Sequence, residues 1–324
     1  MKPMLTLSKI AKLANVSIST ASKAFSMSPE VSEETRELVF SIAKKHGCFK
    51  NFFNAKYPKL VIAVICPELE SHYYANIVAH LQPTFEKKNC EICVATTQFS
   101  KERGKALVDY YTKYARVDGI VIVDGASALD AAGDFPIVCL GHANENAIRI
   151  IIDKKKAIED AVLHFSSQGV KDIGFLGDWL TTSKKNSFIS AMTKHVGGYD
   201  PDLIFTGDRF ADGAYETAKR IVEGGRIPRA LICAYDYLAI GAIRLFREKG
   251  YRIPEDIAFI GMDDIAEARF LTPSLSSVSN NVDLLCEAAA ETLISIMMGH
   301  PYEKCTVIES VLNLRESSEI GVVK

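Results

Sequence analysis

Five short apolar runs end in side chains that can hold a polar ligand. They are Asp124 after GIVIV, Gly141-His142 after IVCL, Asp178-Trp179 after IGFLG, Tyr235-Asp236 after ALICA, and Asp263-Asp264 after AFIGM. Carboxylates accept hydrogen bonds from hydroxyls, and aromatic rings lie against the apolar face of a sugar, so the set suits a polyhydroxylated ligand. A plainer reading is open for each aspartate, since a carboxylate at a strand end can cap the helix behind it. For Asp236, with a helix directly following, capping and ligand contact stand side by side. Trp179 is the only tryptophan, and a core or lip position fits it as well as a stacking platform. Nothing arranges a nucleophile beside a base. GxGxxG, GxxxxGK(S/T), HExxH and GxSxG are all absent, so neither enzyme activity nor a cofactor is expected. Cys90 and Cys93 form a CxxC, but they open the predicted strand CEICVATT rather than a helix. Core packing is expected there, and no metal site.

A second chemistry belongs to Leu7–Phe25, LSKIAKLANVSISTASKAF. Leu7, Ile10, Ala11 and Ala14 make one apolar stripe at helical spacing. Asn15-Val16 breaks that helix, and Ser17 caps a second one in which Ala21, Ala24 and Phe25 face inward. Ile18, Ser19, Ser22 and Lys23 are left outside. A third helix, from Ser32, is expected to bury Leu38, Val39, Ile42 and Ala43 and to stop at Gly47. Two short helices at a tight turn, braced by a third, read as a helix-turn-helix whose second helix enters the DNA major groove. Charge points the same way. Residues 1–60 carry ten Lys/Arg against four Glu, and the remainder 28 basic against 36 acidic residues. A basic head on an acidic body favours a polyanion partner for the head alone.

The elements that must carry these groups follow from the pattern. At 324 residues, 48% apolar and 24% charged, the chain has ample core for two or three folding units. From Leu60 onward short apolar strands alternate with amphipathic helices near Tyr74–Lys88, Lys101–Arg116, Lys184–His195, Gly213–Glu223 and Tyr237–Lys249. Such alternation predicts βαβ units in two doubly wound parallel sheets, an α/β core of two lobes. Expected boundaries are 1–50 for the head, 51–59 for a linker and 60–324 for the core. The sequence has no N-terminal apolar leader and no run near the ~20 residues a membrane span needs, so a cytoplasmic protein without membrane contact is expected. Eight scattered cysteines read as reduced, mostly buried thiols.

The chain resembles the lactose-repressor (LacI/GalR) family of bacterial transcription regulators. TLSKIAKLANVSISTASKAF and VSEETRELV carry the resemblance, which runs on through VIAVICPELESHYYANI, DGIVIV, DIGFLGD, PRALICAYDYLAIGA, IAFIGMDDIAEARFLTPSLSSV and LNLRESS. It implies a periplasmic-binding-protein-like core with three crossings between lobes, double-stranded operator DNA as partner, and a sugar-like effector that tunes operator affinity, most simply as a repressor. Control by a protein partner is the milder alternative; a transport-type sugar-binding protein or an enzyme on this sheet architecture are the remote ones. Thr6, Ser17, Ile18, Ser19, Thr20, Ser22 and Lys23 match the family's DNA-facing positions, with Lys23 in place of the more frequent Arg. For the effector the resemblance selects Tyr73, Tyr74, Lys184 and Asp263, with Lys184 where an Arg is usual. His142, Trp179, Tyr235 and Asp236 complete the candidate set. Gly141-His142 replaces a frequent Asp-Arg, and Tyr235 a frequent Asn, so specificity does not transfer. A homodimer is expected because two heads match a palindrome, and only Glu319–Lys324 follow LNLRESS, leaving no heptads for tetramers. The linker departs most. Tyr57 stands where the family's hinge helix inserts a leucine into the minor groove, and Pro58 follows at once. Proline disfavours helical geometry at the residue before it, so an extended linker and a less bent operator are expected; the other outcome is a shortened helix with Tyr57 or Phe53 as the wedge, and Tyr57 stays among the candidate DNA-binding residues.

Overall fold

The computed structural model describes residues 6–26, 28–46, 59–115, 117–124, 135–141 and 146–320. Gly47, His142, Tyr57 and the rest of the linker before Lys59 lie outside the described residues.

In the head, α1 (Leu7–Leu13), α2 (Ile18–Phe25) and α3 (Glu33–Lys45) each start from a hydroxyl cap. Thr6, Ser17 and Ser32 accept from the backbone N–H three residues on, which satisfies one of each helix's unpaired donors. The break after α1 is made by Asn15 at φ 54°, a left-handed position that asparagine tolerates better than most residues. Ile10, Ala11, Ala14, Ala21, Ala24, Phe25, Val39 and Ala43 form the head's own core. Leu38 is a correction: it is 47% exposed, while its neighbour Val39 is fully buried. Only one side of α3 meets α1 and α2, so the buried stripe is narrower than the run of apolar letters.

The rest divides into two compact units, Met1–Glu68 with Val78–Arg149 and Ala289–Lys304, and Leu69–Ile77 with Ile150–Ala288 and Cys305–Lys324. The division has two passages more than the three crossings expected, because Leu69–Ile77, with the first turns of one helix, belongs to the second unit.

One sheet is built on β1 (Leu60–Cys66), β2 (Cys90–Thr96), β3 (Gly119–Val123), β4 (Ile137–Leu140), β5 (Arg149–Asp153) and β11 (Cys305–Glu309), in the order β11-β5-β4-β3-β1-β2. Its interleaved helices include α4 (His72–Lys87) and α5 (Lys101–Lys113). The second sheet holds β6 (Ile173–Gly177), β7 (Ile204–Thr206), β8 (Ala230–Cys233), β9 (Ala258–Met262), β10 (Ser276–Ser279) and β12 (Val311–Asn313), ordered β12-β10-β9-β8-β6-β7. Its helices are α6 (Lys154–Ser167), α7 (Thr182–His195), α8 (Phe210–Gly224) and α9 (Asp236–Glu248); α10 (Val282–Met298) follows. β3, β6, β8 and β9 are buried along their whole length, as strands covered by helices on both faces must be. All described pairings are parallel except β10 with β12. In both sheets the first strand lies between the second and the third. The order therefore reverses between β1 and β3 and again between β6 and β8, and ligands bind at the carboxyl ends of strands at such reversals.

In the second unit α8 and α9 approach closely at Gly241, where a Cβ would sit 2.0 Å from the Ala211 carbonyl oxygen. Glycine to alanine ordinarily stabilises a helix by about 1 kcal/mol. Gly241→Ala is expected to do the reverse and cost about 1–3 kcal/mol in urea unfolding, because backbone must move to admit the methyl.

Candidate functional site

The face of α2 turned away from the head's core carries Ile18, Ser19, Ser22 and Lys23, all exposed, with Ile18 at 53%. Two further candidates have local duties. The Ser17 hydroxyl accepts from Thr20 N at 2.9 Å and shares a 2.8 Å hydrogen bond with the Thr20 hydroxyl. Thr6 likewise accepts from Lys9 N at 3.4 Å. Lys23 is ion-paired with Glu30, whose carboxyl the ammonium holds below its ordinary pKa. Sequence reasoning missed Glu30, although its spacing of seven from Lys23 across the α2–α3 turn was a usable signal.

At the reversal of the second sheet, the loop after β6 begins at Asp178, which is buried. Its Oδ1 accepts from Leu180 N at 2.9 Å, its backbone is tied both ways to the Thr181 hydroxyl at 2.8 Å, and Arg209 Nε lies 3.9 Å from Oδ2. Oδ2 has no hydrogen-bond partner, and burial pushes the carboxyl's pKa up. Because the Thr181 hydroxyl is spent on this loop, α7 begins without a side-chain cap and without an acidic residue in its first turn. Lys184, in that turn, is half-buried. It donates to the Ala234 carbonyl beyond β8, and its ammonium lies 5.5 Å from the Tyr235 ring centroid. Desolvation lowers its pKa to about 8, with Lys154 pushing the same way and Asp263, Asp178 and Asp236 opposing.

The Tyr235 hydroxyl is buried and without a hydrogen-bond partner. Tyr73 and Tyr74, at the start of α4, meet edge to face with centroids 5.2 Å apart. Tyr74 is buried, and Lys154 Nζ stands 4.7 Å above the Tyr73 ring. Lys154, the first residue of α6, was not foreseen; KKK before an amphipathic helix reads as a solvated face, and only the fold separates Lys154 from its exposed neighbours Lys155 and Lys156.

After β9, Asp263 (φ 97°) and Asp264 (φ 47°) are both left-handed, a conformation that costs non-glycine residues energy and collects at functional loops. Asp263 accepts from Asn280 Nδ2 at 2.8 Å. Asp264 accepts from Arg315 Nη2 at 2.5 Å and Asn313 Nδ2 at 2.8 Å. Asp236 is fully buried and turned inward, its oxygens accepting from Ser277 Oγ at 2.6 Å and Ile265 N at 2.9 Å. It ties α9 to β10 and to the loop after β9 rather than capping its own helix. Trp179 is 62% exposed, which removes the core reading and keeps the lip and platform readings.

The first unit has its own cavity of about 130 Å³ at the carboxyl ends of β1–β3, lined by Pro67, Thr97, Phe99, Ser100 and Asp124 among others. Burial raises the pKa values of Cys90 and Cys93 and so keeps both thiols protonated, the behaviour of packed side chains. Among the described residues no group of His, Cys, Asp and Glu could hold a metal ion, and no helix is long and apolar enough to cross a membrane.

Comparison with known proteins agrees with this geometry. Residues 6–51 match the family of bacterial regulatory proteins, lacI family, and residues 162–318 match the periplasmic binding protein-like domain. The HTH-type transcriptional repressor PurR of Glaesserella parasuis is 28% identical over 312 residues, 92% of this chain and 91% of its own. The complex of the transcriptional regulator CelR with cellobiose superposes with a TM-score of 0.70 at 25% identity, covering 97% of this chain and 100% of that one. The lac repressor dimer bound to operator and the anti-inducer ONPF gives 0.73 at 22%, covering 98% and 99%. These are regulators and not enzymes. With a helix-turn-helix head matching the one family and residues 162–318 matching the other, the chain belongs to the LacI family of DNA-binding transcriptional regulators.

Proposed function

We propose that this regulator is a repressor that binds a palindromic operator as a homodimer. A small polyhydroxylated ligand, bound at the carboxyl ends of the strands of the core, sets its operator affinity. Ligand shifts the population of core arrangements and thereby the separation of the two heads, so half-site fit changes. Such a role places it in the cytoplasm, with DNA. The observation that carries the reading is the α2 face: Ile18, Ser19, Ser22 and Lys23 exposed together, with Ala21, Ala24 and Phe25 buried behind them. The PurR relative is a repressor by name, CelR is held with cellobiose, and the lac repressor was captured as an operator-bound dimer.

On DNA, Lys23 would exchange Glu30 for a guanine O6 or N7, as a point donor without arginine's planar fork. Lys23→Ala is expected to lose about 1–3 kcal/mol of discrimination between operator and random DNA. Lys9→Ala and Lys12→Ala should weaken both alike. Competition titrations at one fixed salt concentration decide it, and an unchanged operator-to-random ratio for Lys23→Ala sinks the assignment.

A further inference from the structure

We infer that the ligand of the second unit carries a negatively charged group, a carboxylate or a phosphate, and that Lys184 and Lys154 bind it together. The inference rests on the effector reading above and deepens it.

Two half-buried lysines of the site point to this. Lys184 sits in the first turn of α7, and its recorded contacts are a neutral carbonyl and a ring face. Lys154 opens α6 over the ring of Tyr73. Among the described residues neither makes an ion pair here. The acidic groups of the site have donors of their own. Asp178 faces Leu180 N and Arg209, Asp263 holds Asn280, and Asp236 is closed on Ser277 and Ile265. Lys184 is desolvated within reach of Lys154's charge, and Asp263, Asp178 and Asp236 offset this only in part; an anion held by both ammonium groups would relieve the remainder.

Three further observations point to a ligand. The first turn of α7 has no side-chain cap and no acidic residue, which leaves its backbone N–H groups and the positive end of its dipole for an anion. The Tyr235 hydroxyl, on the ring beside Lys184, is buried and unpartnered. Asp178 Oδ2, 3.9 Å from Arg209 Nε, accepts no hydrogen bond in the same loop. A polyol with one anionic end satisfies all of these: hydroxyls to Asp178 and Tyr235, the anion to Lys184, Lys154 and the start of α7. The lowered pKa of Lys184 fits, since an anion would restore the charge that desolvation disfavours.

The test is calorimetric titration of the full-length protein at low salt with glucuronate, glucose 6-phosphate and inorganic phosphate, against glucose, galactose and ribose. Each is repeated with Lys154→Gln, Lys184→Gln and Asp263→Asn, after unfolding curves confirm that the variants fold. The expected result is binding of one of the anionic sugars, with each lysine substitution weakening it about thirtyfold. Which anionic sugar binds tells carboxylate from phosphate. A neutral sugar bound at least as tightly, insensitive to Lys154→Gln but lost in Asp263→Asn, overturns the inference and leaves the effector reading standing. No heat and no change in operator affinity with any of the six overturns both.

Discussion

Lys184→Met is expected to make the free protein more stable while removing its response to effector. The ammonium is drawn out of water at the reversal of the second sheet, and its pKa falls from 10.5 to about 8. A base whose folded pKa lies below its unfolded value destabilises the fold wherever it is charged in both states. The cost is whole below about pH 8 and fades as pH rises toward 10.5. Discounted for partial exposure, and for the hydrogen bond that the Ala234 carbonyl would lose, methionine should gain about 1–2 kcal/mol near pH 7. Urea unfolding at several pH values checks this. The gain must shrink as pH rises through 8, and a gain that is flat or grows with pH removes the desolvation argument. On the proposed role of Lys184, this is the usual exchange of stability for function.

The opposite sign is expected at Arg315. Its guanidinium bonds Asp264 at 2.5 Å and the Leu275 carbonyl at 2.6 Å, while its own N–H donates to Ser276 Oγ at 2.7 Å. Both members of the pair are largely buried, with side-chain exposures of 16% and 11%. Arg315→Ala leaves Asp264 largely buried, in left-handed backbone and short of its strongest donor. Breaking such a pair costs about 3–5 kcal/mol. A smaller loss in the double variant Asp264→Asn/Arg315→Ala than the sum of the two single losses would measure the coupling. Additive losses would mean that the pair is incidental.

The head was almost wholly legible in the sequence, because its contacts are local. The break at Asn15, the cap at Ser17 and the exposed set on α2 all follow from spacings of a few residues. Leu38 was not, since periodicity gives a helix's apolar side but not how wide a stripe its neighbours cover. In the core, strands and their terminal residues could be read, because parallel strands covered on both faces are continuous apolar runs. α6 and α10 went unread, although Ala157, Ile158, Ala161, Val162 and Phe165 lie along one face of α6 and are all buried. What could not be read was which strand-end side chain turns inward. Asp236 and Asp263 look alike as letters, and they differ only through Ser277 and Asn280, dozens or more than a dozen residues away. Arg315 and Lys154 were invisible for the same reason: their partners are remote in sequence.

That remoteness imposes an order on synthesis. The last helix of the head ends at Lys45, and among the described residues the head's core draws on nothing later in the chain. The loop at Asp263-Asp264 is not complete until Arg315, 51 residues downstream of Asp264, has left the ribosome and β12 has paired with β10. Domains fold as units from the N-terminus as the chain emerges. On the proposed function, a nascent chain therefore owns its DNA-reading surface well before it owns its ligand-sensing one. Any chain stalled between those points would grip DNA weakly and be deaf to the signal.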